Sequence, residues 1–65
     1  MILYCVKCQS GYIRDGQDDF EILALPKASV YTNIEEARGL LKRCADLPMV
    51  SLVEITIHEK ELADI

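Results

Sequence analysis

The sequence predicts an α+β fold of ββαβ layout, and three observations carry that prediction. Two early stretches, ILYCVKC and DFEILAL, are rich in β-branched, aromatic and leucine residues and flank an Asp-Gly turn signal. A late stretch, VSLVEITIHEK, alternates apolar and polar residues at the period of a strand. Between them, TNIEEARGLLKRCADLP repeats its apolar residues at helical spacing.

The first strand is expected over residues 2–8, where the mixed apolar pattern suits a central strand covered on most of its surface. Asp15-Gly16 reverses the chain because both residues tolerate positive φ. Tyr12 and Ile13 extend the first strand past a bulge at Gly11. The second strand is expected over 19–25: Phe20, Ile22 and Ala24 form one face and Glu21, Leu23 and Leu25 the other. Pro26 lacks the ladder donor and ends it. A helix is expected over 33–46. Thr32 with Glu35, or Asn33 with Glu36, fits a capping box; Lys42 and Arg43 suit the negative end; Pro48 stops it. Ile34, Ala37, Leu40, Leu41, Cys44 and Leu47 make its buried stripe. The last strand, 50–58, sets Val53, Ile55 and Ile57 against Glu54, Thr56 and His58, a pattern with one wet face.

A right-handed crossover brings the last strand beside the first, parallel to the second, and gives a three-stranded antiparallel sheet of order 2-1-3 with the helix on one face. The other face is open. It is expected to carry Leu3, Cys5, Leu23, Leu25 and Leu52, more apolar surface than a monomer of this size exposes, so a protein partner or a second copy is expected there.

The 65 residues make one small domain, near the lower limit for folding without a disulfide, metal or partner. The core must be aliphatic, since 51% of residues are hydrophobic, only 6% are aromatic and there is no Trp. Eleven acidic against seven basic residues give a net charge of −4, which opposes binding to nucleic acid or an anionic membrane. No apolar run reaches the length of a membrane span or signal-peptide core, so a cytoplasmic location is expected. The three cysteines are expected to be reduced thiols.

Cys5 and Cys8 have the spacing of a zinc knuckle or a redox dithiol, and with Cys44 and His58 they complete a Cys3His set, the basis of an alternative reading as a zinc-stabilised module. Against it, strand residues three apart point to opposite faces, Cys44 lies on the leucine face of the helix, and His58 shares a wet face with Glu54 and Thr56. A working dithiol sits at a helix N-terminus rather than inside a strand. Asp15, Asp18, Asp19 and Glu21 read as a solvated charged loop and strand edge, and the three glycines form no phosphate-binding pattern. Neither catalytic residues nor a cofactor are therefore expected; a minor activity through Cys8 or His58 is the enzymatic alternative.

The segment SVYTNIEEARGLLKRCADLPMVSLVEITI resembles, in layout, the small stand-alone accessory and host-modulating proteins encoded by bacteriophages and prophages. That resemblance implies a non-enzymatic, partner-binding role. A looser similarity is to HicB-type antitoxins, in which a hairpin with a DG turn precedes a T..EEA helix, here Asp15-Gly16 and Thr32 with Glu35, Glu36 and Ala37. It implies a neutralising protein of antitoxin type.

Overall fold

A computed structural model describes residues 1–16 and 18–63. Among the described residues the strands are β1 (Ile2–Cys8), β2 (Gly11–Asp15), β3 (Phe20–Leu23) and β4 (Ser51–Thr56); one α-helix, α1, spans Ile34–Arg43, and a short 3-10 turn spans Leu25–Lys27. The fold is α+β, with one antiparallel sheet of order β3-β2-β1-β4.

The sheet therefore has four strands, not three in the order 2-1-3. The difference lies at Gln9-Ser10, where a tight turn closed by the Cys8↔Gly11 pair makes Gly11–Asp15 a strand of its own rather than an extension of β1. Ser10-Gly11 is a turn dipeptide, weaker than Asp-Gly, and it reads equally well as a bulge within one long strand. Gly11 permits the turn: its φ is 153°, and a Cβ there would meet the Leu23 carbonyl oxygen at 2.9 Å. Asp15 lies in β2, paired with Phe20, and neither it nor Gly16 has the positive φ expected of a tight Asp-Gly turn; the reversal follows Asp15, with the Gly16 N–H donating to the Asp19 carbonyl at 2.7 Å, and pairs β3 with β2 instead of with β1. One more reversal also changes direction, so β4, antiparallel to β1, is antiparallel to β3 as well.

β1 and β2 pair only at their hairpin end. Beyond it the 29–31 segment wedges between them: the Ser29 N–H donates to the Ile13 carbonyl at 3.1 Å, and Tyr4 and Tyr31 exchange two backbone hydrogen bonds of 2.8 Å. This is how the chain leaves β3 and crosses to the helix without leaving the backbone of β1 unpaired.

Asn33 caps α1, its Oδ1 accepting from the Glu35 N–H at 2.8 Å, with Glu35 and Glu36 at the positive end and Lys42 and Arg43 in the last turn. The α-helix ends short of the expected residue 46. The Leu47 N–H donates to the Cys44 carbonyl three residues back, tightening the chain ahead of Pro48. Met49 follows with φ 55°, a left-handed residue in the turn into β4.

The core lies between α1 and one sheet face. Val6, Cys8, Ile13, Leu40 and Cys44 are buried together, and Phe20, Tyr31, Leu41, Leu47, Val50 and Leu52 pack against them. Burying an aliphatic side chain of this kind contributes about 1.5–3 kcal/mol. No helix is long and apolar enough to cross a membrane among the described residues.

Candidate functional site

Strand parity decides what the face away from α1 carries. Val6 and Cys8 face the helix, so Leu3, Cys5 and Lys7 face away, and across the β1–β4 ladder Leu3 lies beside Ile55 and Cys5 beside Val53. The ladder continues one step beyond both strands, where the Ile57 N–H donates to the Met1 carbonyl at 2.8 Å. Tyr31 packs on the helix side, so its neighbour Val30 turns to the opposite face, next to Cys5. The result is an apolar stripe along β1 and β4 that no helix or strand covers among the described residues. Met1 is 78% exposed, Ile57 42% and Val30 41%, while Leu3, Val53 and Ile55 are half-buried. Toward the hairpin the same face becomes polar, with Lys7, Arg14 and Glu21 exposed around half-buried Tyr12 and Leu23.

Of the residues expected on this face, Leu3, Cys5 and Leu23 lie on it by parity. Cys5, however, is fully buried beneath its neighbours and presents no surface. Leu25 is 39% exposed but lies in the 3-10 turn beyond β3. Leu52 lies on the other face: it pairs with Val6 and packs against the helix-side core. The residues missed are Met1, Val30 and, along and just beyond β4, Val53, Ile55 and Ile57. The alternation of the last three with Glu54 and Thr56 separates the two faces of β4 but does not say which one meets the helix. Glu54 and Thr56 stay exposed because they lie on the helix side at the opposite end of β4 from Leu52.

The thiols do not form a site. Cys8 and Cys44 share the helix-side core, Cys5 is on the opposite face, and His58 is exposed beyond β4. Among the described residues no three His, Cys, Asp or Glu side chains converge as metal ligands. Burial pushes the thiol of Cys5 up from its ordinary pKa against the opposing charge of Lys7, and pushes Cys44 up against Arg43. Both shifts disfavour the nucleophilic thiolate.

One polar cluster ties the hairpin to the helix end. An Arg43 guanidinium nitrogen lies 2.5 Å from Asp15 Oδ1, the Tyr31 hydroxyl donates to Asp15 Oδ2 at 3.5 Å, and the Asp15 N–H donates to Ser29 Oγ at 2.7 Å. Burial, opposed by the Ser29 hydrogen bond and reinforced by Asp15, raises the phenol of Tyr31; Asp15 holds Arg43 in its charged form. A protonated phenol and a paired guanidinium anchor the hairpin; they do not make an acid–base couple. Asp15 is thus engaged in this anchor, while Asp18, Asp19 and Glu21 remain exposed.

No pocket is present among the described residues. No family model, curated protein or solved structure matches the chain.

Proposed function

We propose that this chain is a small non-enzymatic protein-binding module that docks a protein on the sheet face opposite α1. One observation carries the reading: the apolar stripe formed by Met1, Leu3, Val30, Val53, Ile55 and Ile57 is exposed or half-exposed along β1 and β4, on the sheet face opposite the helix-side core. Charged Lys7, Arg14 and Glu21 border it at the hairpin end, so the face passes from an apolar stripe to a polar margin. The buried thiols, the anchored Asp15–Arg43 pair and the lack of a pocket among the described residues favour binding over catalysis.

Affinity capture from the cells that express the chain, followed by titration of the purified captured protein, tests the reading. Val30→Glu is expected to weaken that binding by about tenfold or more, because it places a charge inside the stripe. Arg38→Ala, on the exposed side of α1, is expected to leave it unchanged. Failure to capture any partner, or equal binding by the Val30→Glu variant, rejects the open face as the docking surface.

A further inference from the structure

We infer that the free edge of β4 pairs antiparallel with β4 of a second copy of this chain, centred on Ile55, so that two four-stranded sheets join into one. The inference rests on the reading of the sheet as an association surface and assigns a different part of it, the edge, to a stated occupant.

The backbone supplies the first argument. Met1 and Ile57 form a hydrogen-bonded pair, and such pairs alternate along an antiparallel ladder, so Ser51, Val53, Ile55 and Ile57 spend their amides and carbonyls on β1. Leu52, Glu54 and Thr56 turn theirs outward, where no strand among the described residues pairs with them. The other edge of the sheet is blunted: β3 has four residues and runs into Pro26 and the 3-10 turn. β4 has six, with no Pro, no Lys and one charge. It lacks the devices by which edge strands avoid pairing.

Side-chain complementarity supplies the second argument and fixes the register. Centring on Glu54 opposes two carboxylates, which is unfavourable. Centring on Val53 sets Leu52 against Glu54 and Ser51 against Ile55, and carries Ile57 past the strand to Met49, whose φ of 55° lies in the turn rather than in an extended strand. Centring on Thr56 sets Val53 against Glu59. With Ile55 at the two-fold axis, Ile55 meets Ile55 of the second copy and each Val53 meets an Ile57, while Glu54 faces Thr56 and Leu52 faces His58. All three apolar pairs fall on the face that carries Leu3, no like charges are directly opposed, and every outward-turned residue of β4 gains a backbone partner. The two apolar stripes then run together across the axis.

The residue at the axis is in a non-hydrogen-bonded pair, with Cα atoms about 4.5 Å apart, close enough for a disulfide. Light scattering on the intact chain should therefore give a mass twice 7.3 kDa at ~100 µM. Glu54→Pro removes an outward N–H without breaking the β1–β4 ladder, and should give a monomer with an unchanged circular dichroism spectrum. Under oxidised glutathione, which accepts the two electrons and two protons of the paired thiols, Ile55→Cys should form a covalent dimer; Val53→Cys should not. The Ile55→Cys result stands whether or not the proline variant folds. A monomeric wild-type chain, a dimer that a folded Glu54→Pro variant retains, or cross-linking of Val53→Cys as fast as Ile55→Cys overturns the edge pairing. Because Val30 lies away from β4, loss of partner binding in Val30→Glu reports on the open-face reading separately.

Discussion

Two of the glycines differ in what they ask of the backbone. Gly11 has a φ that L side chains rarely adopt, and the Leu23 carbonyl leaves no room for a Cβ; Gly39 lies exposed inside α1 with nothing within 4 Å of the same atom. Gly11→Ala should therefore cost about 1–3 kcal/mol, whereas Gly39→Ala should stabilise by about 0.5–1 kcal/mol through reduced freedom of the unfolded chain. Urea titration of the two variants checks both signs, and equal effects would contradict the assigned turn at Gln9-Ser10. Some residue-scale structure was legible in the sequence. The spacing of Cys5 and Cys8 already placed them on opposite faces, as strand parity demands. It could not reveal that Cys5 is covered by its neighbours on the open side, because that depends on Val30 arriving from a segment far along the chain.

Among the elements, α1 was the most legible. Its cap, charge order and apolar stripe are local, and Asn33 takes the N-cap position one residue after Thr32. Asn33→Ala should lower stability by about 0.5–2 kcal/mol, measured by thermal unfolding, while Thr32→Ala should change it little. β2 was hidden because a glycine between two strand-like stretches fits a bulge as well as a turn, and only the Cys8↔Gly11 pairing distinguishes them. The direction in which β4 faces was hidden for a different reason. Leu52 and Val53 are both credible core residues, and only pairing with Val6 directs Leu52 inward. Three of the five residues expected on the open face are there by parity; the β4 part of the stripe shows an alternation that a core-facing side would show equally well.

The whole molecule joins its few buried groups across distant elements, and its response to alkali follows from that. Cys5 and Cys44 ionise less readily when folded than when unfolded, so the folded state holds protons that the unfolded state releases. Their contribution is complete at neutral pH and is lost as pH rises above about 8.5, where the unfolded thiols begin to ionise. Tyr31 adds the same sign at higher pH. Denaturant midpoints from pH 7 to pH 10 should fall, and the fall should be shallower in a chain with Cys5→Ala and Cys44→Ala; a midpoint that rises with pH would contradict the burial of these thiols. The central position of β1 also governs the order of events when the molecule forms. Its longest ladder joins Ile2 to Thr56 and Lys7 to Ser51, so the strand that organises the sheet waits for almost the last part of the described chain. The β2–β3 hairpin and α1 can form from local contacts, but the sheet closes only by a non-local step. Until that step, Leu3, Val53 and Ile55 have no ladder to hold them, and folding speed, more than final stability, sets how long these segments stay open to other chains.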